Sequence, residues 1–572
     1  MTLSSLNERT IPVPPSYVHL YVPATIHLMM LCRFVLYISF LTCFTIAAPP
    51  AELATHAIDS NVNTRGNHVL EHPQRRCAKT GSYFLLLNAT PWPMTLTRNV
   101  SYQMNQFNFP KIIKPGTSNR IYIQGQGHKD DAGEASYKFK DLPGDPDFEL
   151  KYKSETAGIR FTKLKTLNNK RGSFHKLVWA WDNNFPFIIA SSEKYPKNPS
   201  LWPWLVSSNP PEDWMHSIYP RIACLTLREL AMPGTHNSGM SRFHRRSFLG
   251  LPSNTITQEL PVSGQLKNGA RWLDIRPSKT GGKWATGHFG FSHGNWHGGN
   301  GEYLDDIIAG VNNFTKGNKE LIIMNFSHGV NSDTFRGNKN AWMTQEEWDE
   351  VMTKLAKVNS RIKNRGHVRD LTKLQVSKFI AGRAAVIIII NSLMEKEYYN
   401  GTKKSIKLVP VDVSAFADKG FFQGSQFPLV DDYAETKHQK KMVVDQLTKM
   451  KKQRKSPKSK MFLLSWFLTQ RMNPVVSNAK KANRALIELL WPAMNASTYP
   501  NIISVDAYPD NKDLAALAMA INYHFAPLCK IYTPSAGQNG QGGSLESSPY
   551  PIDSDALSWL NCTDSSKLAY NL

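Results

Sequence analysis

Five short apolar runs between residues 270 and 507 alternate with segments whose apolar residues recur at helical spacing. The runs are residues 270–275, 320–326, 384–390, 461–467 and 501–507. The helical pattern occupies residues 303–317, 344–362 and 513–524, and Thr344 with Glu347 forms a capping-box arrangement. Apolar strands separated by helices are typical of parallel sheets covered on both faces. Residues 215–530 are therefore predicted to form an α/β fold, a distorted TIM-like (β/α) barrel.

Residues 78–195 follow a different pattern, in which short strand-like runs are separated by Gly, Pro and Asn. The runs are residues 83–87, 120–124, 135–139, 148–152 and 176–181. This spacing predicts a smaller all-β, sandwich-like domain in front of the barrel. A Pro-rich linker, residues 195–211, separates the two. Most aromatic residues of this β domain are expected in its core, but a membrane contact is the competing interpretation for Trp92, Tyr102, Phe107, Phe109, Trp179 and Trp181.

Both ends of the chain have distinctive compositions. In residues 1–50, Arg33 precedes an apolar stretch that ends in small residues before Pro49 and Pro50. This pattern predicts a signal peptide and secretion, and a membrane anchor is the competing interpretation. Residues 531–572 form a Gly/Ser-rich tail, which is predicted to be disordered over residues 535–548.

Cysteine and asparagine usage agrees with export. Removing the leader leaves four cysteines, which are consistent with two disulfides in any of three pairings: Cys77, Cys224, Cys529 and Cys562. Six Asn-x-Ser/Thr sites predict a glycoprotein: Asn88, Asn99, Asn313, Asn400, Asn495 and Asn561.

The formal net charge of the 572 residues is +23. This excess favours acidic partners, namely nucleic acid, anionic lipid or a cell-wall polyanion. No zinc-finger spacing or RNA-binding aromatic motif points to nucleic acid, and anionic lipid is the expected partner. The densest basic run, residues 449–460, is interpreted as a solvated, mobile loop.

Three positions carry polar groups where a barrel would use them, at strand ends and in the following loops. His236 lies in a Pro-Gly-Thr-His turn, and histidine is the side chain best suited to proton transfer near neutral pH. Asp274 and Arg276 share one face of a predicted strand, where a guanidinium could bind phosphate. Asp506 lies near the end of the last predicted strand, at the position of a catalytic carboxylate.

A His-rich segment, GHFGFSHGNWH, supplies His288, His293 and His297. It contains no Cys, Asp or Glu that could complete a ligand set, and the spacing found in zinc proteases is absent, so a zinc site is not favoured.

Together these segments resemble one family. LAMPGTHNSGM, ARWLDIRPS, ELIIMNFSHG and PNIISVDAYPD are similar to segments of the X-domain of phosphatidylinositol-specific phospholipase C, especially its secreted fungal and bacterial members. The similarity covers residues 222–526, and the Pro-Gly-Thr-His and Leu-Asp-Ile-Arg motifs are its specific part. It implies a phosphoric diester hydrolase that acts on a phospholipid or glycolipid at a membrane surface.

The resemblance also implies roles for individual residues. His236 matches the general base, Asp506 the carboxylate that orients it, and Arg276 the group that stabilises charge on the phosphate, with Asp274 as its neighbour. The general acid that protonates the diacylglycerol leaving group is His288 or His293, and the distance after Arg276 favours His288. Asp431 and Tyr433 match positions that contact the inositol ring.

Three departures from the family bear on metal dependence and substrate. Asn237 follows His236, as in Ca²⁺-dependent members, so Asn237 and Asp274 would supply the ligands if the enzyme used Ca²⁺. The Asp274-x-Arg276 arrangement instead resembles the metal-independent members, and no cofactor is favoured. Asn391 and the Ser327–His328 pair stand where basic residues are expected, which affects inositol specificity more than phosphodiester cleavage. The alternatives are an inactive lipid-binding protein and a glycerophosphodiesterase-like enzyme that acts on another head group.

Overall fold

The structure is a computed structural model. It describes residues 81–529 except 141, 143, 154–155, 178–183, 192–204, 246, 248–249, 293, 337–340, 365–367, 401–402 and 470–473, together with the backbone of 560–562. The predicted signal peptide, Cys77, Trp179, Trp181, His293 and the rest of the tail lie outside the described residues. Within this part of the chain, no helix has the length and apolar character needed to cross a bilayer.

The strands before residue 208 form two sheets. They are β1 (Gly81–Ala89), β2 (Met94–Tyr102), β3 (Met104–Phe107), β4 (Ile112–Ile113), β5 (Thr117–Gly125), β6 (Ala132–Phe139), β7 (Asp147–Lys153), β8 (Thr156–Arg160), β9 (Phe174–Leu177), β10 (Asn184–Ala190) and β11 (Val206–Ser207). One sheet has the order β11-β10-β1-β5-β3, and the other has the order β4-β2-β6-β7-β8-β9.

These two sheets share one apolar core. Alternate residues of β5 and β6 point into it, as period-two strands require, and so do Phe84 and Leu86 of β1. Leu85 and Leu87, on the opposite face of β1, are also buried, in the same cluster as the helix at residues 513–524. The central strand of this sheet is therefore covered on both sides, which explains why its sequence is a continuous apolar run.

Two predictions for this region need correction. Asn88 is fully buried, and its side-chain amide donates hydrogen bonds to the carbonyls of Trp92 and Ile113, so it cannot carry a glycan in this fold. Phe107 and Phe109 are buried core residues and cannot contact a membrane, whereas Tyr102 is 59% exposed.

The remaining strands begin at residue 232. They are β12 (Met232–Thr235), β13 (Trp272–Ile275), β14 (Pro277–Thr280), β15 (Lys283–Ser292), β16 (Asn295–Tyr303), β17 (Leu321–Phe326), β18 (Val330–Asn331), β19 (Ile362–Asn364), β20 (Ala385–Ile390), β21 (Leu393–Asn400), β22 (Lys403–Pro410), β23 (Phe421–Gln423), β24 (Leu429–Val430), β25 (Met461–Trp466), β26 (Ile502–Val505) and β27 (Leu560–Cys562).

Eight of these strands form one parallel sheet in the order β23-β20-β17-β13-β12-β26-β25-β24. The five predicted apolar runs are confirmed as its strands β13, β17, β20, β25 and β26. Residues 424–428 join the two edge strands, β23 and β24, which do not pair with each other in the described chain. The sheet is therefore a curled half-barrel that stays open between these strands, rather than a closed barrel.

Side chains alternate between the two faces of this sheet. Leu273, Ile322 and Ile388 pack on one face, against helix Leu304–Gly317 and helix Gln345–Leu355. The opposite face carries a second apolar set in which Trp272 packs. The period-two prediction for β13 is confirmed, because Leu273 and Ile275 are buried in the first set while Asp274 faces the other way.

The helices range in length from 4 to 15 residues. They are Trp214–Ser217, Tyr219–Ile222, Pro252–Thr255, Val262–Lys267, Leu304–Gly317, Gln345–Leu355, Val376–Ile380, Gln439–Gln453, Val475–Asn483, Leu486–Leu490 and Asp513–His524. The capping box predicted at Thr344 and Glu347 is confirmed. The helix ends at Leu355 and does not reach residue 362, because the chain turns there to enter β19.

The interpretation of residues 449–460 as a solvated, mobile loop is wrong for residues 449–454, although most lysines of the run are exposed. Helix Gln439–Gln453 includes the first part of the run, and Arg454 is fully buried. Its guanidinium donates to the carbonyls of Tyr499, Ser459 and Arg228, and these bonds hold the loop after the helix against the core. The basic composition of the run gave no sign that one of its arginines has a structural role.

A disulfide joins Cys224 to Cys529, with a Cα–Cα distance of 5.6 Å across 305 residues of sequence. It ties the start of the half-barrel to the segment after its last helix. Cys77 and the side chain of Cys562 lie outside the described part of the chain.

Candidate active site

A cavity of about 560 Å³ opens at the carboxyl edge of the parallel sheet. Its polar lining comes mainly from residues that follow strands directly, because the carboxyl ends of parallel strands meet at one edge and the chain leaves the sheet there. These polar residues are His236 after β12, Arg276 after β13, Ser327 and His328 after β17, Asn391 after β20, Asp431, Asp432 and Tyr433 after β24, and Asp506 after β26. Phe467, which follows β25, adds an apolar ring to the lining.

His236 is held at both ring nitrogens. Its Nδ1 lies 2.7 Å from Oδ1 of Asp506, and its Nε2 lies 2.8 Å from Nη2 of Arg276. A guanidinium can only donate, so Nε2 of His236 must accept and the ring proton must sit on Nδ1, where it is donated to Asp506. The imidazole is therefore oriented as a neutral ring with its lone pair on the side of Arg276, the arrangement a general base needs.

Packing fixes the plane of the same ring. Phe467 stacks on the His236 imidazole with 3.9 Å between ring centroids and 9° between planes. The Asp506 carboxylate is only 2% exposed, and its backbone carbonyl accepts a hydrogen bond from the side-chain amide of Asn483. The base is thus held by a ring that lines the cavity, and the group that orients it is held by an amide outside the cavity.

Arg276 is also bound to Asp274, whose Oδ2 lies 3.3 Å from Arg276 Nη2. Asp274 accepts further hydrogen bonds from the Asn237 backbone amide at 3.0 Å and from the Ser327 hydroxyl at 3.1 Å. Burial opposes ionisation of this carboxyl, but the charge of Arg276, the nearby His236 and the hydrogen bond from the Asn237 amide together outweigh burial, so the pKa of Asp274 stays below its usual value. Asp274 therefore carries a negative charge that places the guanidinium.

His288 lies in β15, in an antiparallel sheet beside the half-barrel. Its Nδ1 is 2.8 Å from the carbonyl of Thr255, so Nδ1 carries the proton and Nε2 is the unprotonated nitrogen of the neutral ring. Burial and the nearby charge of Arg276 lower the pKa of His288 to about 4. Without a bound anion, His288 is neutral at neutral pH.

A third histidine lines the cavity. The Ser327 hydroxyl gives its single proton to Asp274. The same hydroxyl oxygen must therefore accept a hydrogen bond from Nδ1 of His328, which lies 2.9 Å away. The charge of Arg276, together with burial, lowers the pKa of His328 to about 4. Where a basic residue was expected from the family, the structure has a neutral imidazole linked through Ser327 to Asp274.

The structure brings all but two of the predicted site residues together. His236, Asp274, Arg276, His288, Asp431, Tyr433 and Asp506 line the cavity. Asp431 and Tyr433 lie exposed at its rim. His293 falls outside the described residues, so its competition with His288 is not tested, and Asn237 does not line the cavity.

The residues proposed as Ca²⁺ ligands do not fit that ion. Arg276 Nη2 sits 3.3 Å from the Asp274 carboxylate, so a permanent positive charge already stands where a cation would bind. Asn237 donates its backbone N–H to Asp274, and its fully buried side-chain amide does not line the cavity. Among the described residues, no cluster of three or more His, Cys, Asp or Glu could hold a metal ion.

Sequence reasoning missed the role of Phe467. It ends an apolar run and reads as another core residue, and no local pattern distinguishes a ring that stacks on a histidine from one that packs on leucine. Thr257 was also missed, although it lines the cavity and its hydroxyl donates to the carbonyl of Asn237.

Comparison with solved structures finds phosphatidylinositol-specific phospholipases C. A mutant of the enzyme from Staphylococcus aureus is 14% identical to this chain with a TM-score of 0.37, covering 54% of this chain and 97% of that one. The enzyme from Listeria monocytogenes is 15% identical with a TM-score of 0.34, covering 52% and 95%. No protein-family model and no curated protein matches the sequence. At these identities and scores the likeness is too distant to carry a conclusion about the reaction.

Proposed function

We propose that this protein is a phosphodiesterase of the phosphatidylinositol-specific phospholipase C type, which cleaves the phosphodiester of phosphatidylinositol or a related glycolipid. The observation that carries the proposal is the position of His236 between a buried carboxylate and a guanidinium at the carboxyl edge of the sheet. An oriented base next to a phosphate-binding arginine is the arrangement required when a hydroxyl attacks a neighbouring phosphorus.

In the proposed reaction, the substrate phosphate accepts a hydrogen bond from Arg276 and draws the guanidinium away from His236 Nε2. The freed nitrogen takes the proton of the attacking hydroxyl, and a new O–P bond forms as the bond to the leaving oxygen breaks. Asp506 stabilises the imidazolium that results, and Arg276 stabilises the charge that develops on the phosphate. The leaving oxygen must gain a proton from an acid on its own side.

His288 is the proposed acid, and because its pKa is lowered, the ring must gain a proton before it can act. Two effects hold the ring neutral, namely burial and the charge of Arg276. A bound phosphodiester anion offsets the second effect, so the pKa of His288 rises with substrate and Nε2 acquires the proton it later donates. The proposal thus couples loading of the acid to binding of the phosphate.

Charge in the cavity favours a head group with one phosphate. Arg276 is the only Lys or Arg among the described lining residues, which include the carboxylates of Asp274, Asp431, Asp432 and Asp506. Extra phosphates would meet these carboxylates without a second cation to offset them. A polyol head group instead brings hydroxyl donors that carboxylates and neutral imidazoles can accept.

We further propose that the protein works outside the cytosol. Disulfides form and persist in oxidising compartments, and the Cys224–Cys529 bond is consistent with the secretion predicted from residues 1–50.

The test is release of water-soluble inositol phosphate from phosphatidylinositol vesicles. His236→Ala should abolish release, whereas His128→Ala, which removes an exposed histidine from the region before the half-barrel, should not. Wild-type activity should survive EDTA, because Arg276 occupies the place of a cation. No release by the wild type refutes phosphatidylinositol as substrate. Release of another phosphorylated head group from mixed lipids would support the glycerophosphodiesterase-like alternative.

A further inference from the structure

The hairpin that carries His288 projects beside the cavity. β15 and β16 pair from His288 with Gly299 to Ser292 with Asn295, and Gly294 adopts a positive φ at the turn. Ser292, Gly294 and Asn295 are exposed at its tip, whereas Gly298, Gly299 and Asn300 near its base are buried. The hairpin therefore joins a predicted catalytic residue to a solvent-exposed tip.

Aromatic side chains cover the face of this hairpin opposite His288. Phe289 and Phe291 alternate with His288 along β15, and Trp296 pairs directly with Phe291, so these three rings share one face. Trp296 stacks on Phe335 at 4.5 Å, and Phe289 meets the edge of Phe335 at 4.8 Å. The four rings form one patch, which we call the hairpin aromatic cluster.

The cluster leaves apolar area in contact with water. Phe291 is 40% exposed near the tip, and Leu251 is 45% exposed at the end of a segment that lies along β16, where the Ser247 amide donates to the Gly298 carbonyl. Exposed apolar side chains grouped in this way are typical of interaction surfaces.

Positive charge flanks the cluster. Arg336 follows Phe335 and is exposed. Aromatic rings next to arginines suit the boundary of an anionic bilayer, where rings bury in the head-group region and guanidinium groups meet lipid phosphates.

We propose that the hairpin aromatic cluster and Leu251 form the surface by which this protein docks on an anionic lipid bilayer. The position of this surface indicates that it binds lipid. One face of the hairpin lines the proposed site for a lipid phosphodiester, so its other face and its tip would meet the lipids around the substrate. The choice of lipid as the occupant rests on the proposed function, but docking can be measured without the proposed substrate. The proposed docking surface lies outside the N-terminal sheets, where Phe107 and Phe109 are buried.

The test is sedimentation of the full-length protein with vesicles of phosphatidylcholine and phosphatidylserine, which contain no proposed substrate. Phe291→Ala should lower the partition coefficient about fivefold, because the exposed part of one phenylalanine contributes on the order of 1 kcal/mol on burial. Phe291→Trp, which keeps an aromatic ring at this position, should bind as well as the wild type. Arg336→Gln should weaken binding to these vesicles about fivefold and leave binding to pure phosphatidylcholine unchanged.

Tyr102→Ala is the matched control, since Tyr102 is an exposed aromatic residue of β2. If Tyr102→Ala weakens binding and Phe291→Ala does not, the N-terminal sheets make the contact and the proposal is overturned. It is equally overturned if the wild type does not sediment, or if Phe291→Ala instead dissociates a protein dimer. Vesicle binding without head-group release would refute the proposed function and leave the docking surface standing.

Discussion

Asp506→Asn is the substitution that tests the proposed base most directly. Asparagine has nearly the shape of aspartate, and the backbone carbonyl at this position keeps its bond from Asn483. The new side chain, however, has no charge and can offer an N–H to the histidine. If it donates to Nδ1 of His236, the ring proton moves to Nε2, the nitrogen that must accept the proton from the attacking hydroxyl.

The structure sets the size of the expected effect. At the 2.7 Å between Nδ1 and Oδ1, and with an effective dielectric constant of about 20, two unit charges interact by about 6 kcal/mol. Full development of the imidazolium would make this a factor of about 10⁴ in rate. Because the charge develops only in part at the transition state, we expect kcat to fall by about 10³ with little change in KM.

Two assays check this expectation. The first measures kcat and KM for head-group release by Asp506→Asn and by Asp510→Asn, an exposed control in the same loop. The second uses ¹⁵N NMR of the imidazole nitrogens of His236, and wild type should show Nδ1 protonated and Nε2 unprotonated. The reasoning is refuted if Asp506→Asn keeps kcat within about tenfold of wild type, or if wild-type His236 carries its proton on Nε2.

Three further predictions follow from other contacts. Arg276→Lys should lower kcat/KM about a hundredfold, because an ammonium lacks the planar fork that spans a carboxylate, an imidazole and a phosphate; activity within a few-fold of wild type would contradict this. The pKa of His288 falls from 6.5 to about 4 on folding, so the unfolded chain binds more protons in this range and stability decreases as pH falls. Urea titrations should show a loss of up to about 3 kcal/mol between pH 6.5 and 4 from this residue, and His288→Asn, but not His128→Asn, should reduce the loss. Reducing the Cys224–Cys529 bond, which spans 305 residues, should lower the free energy of unfolding by about 5 kcal/mol, and Cys224→Ser should remove this part of the response to reductant.

The parallel sheet was predictable where its strands are long and apolar. A run such as residues 385–390 must be buried on both faces, and that requirement is visible in the residues themselves. β12, β23 and β24 have four residues or fewer, and β12 and β23 also contain Pro, Gly or Gln, so no periodicity could identify them. They become strands because their neighbours in the sheet offer hydrogen-bond partners.

The candidate site also has some features that the sequence predicts and others that it does not. The sequence by itself determined which side chains are available, because His236, Arg276 and Asp506 each follow or end a recognisable segment. Only the tertiary structure decided that His236 and Asp506, which are 270 residues apart, share a hydrogen bond. It also decided that Phe467 stacks on that ring and that Arg276, rather than a cation held by Asn237, faces Asp274. The physical reason is that local patterns record burial and secondary structure, whereas the partner of a polar group depends on which strand ends the folded sheet brings to one edge.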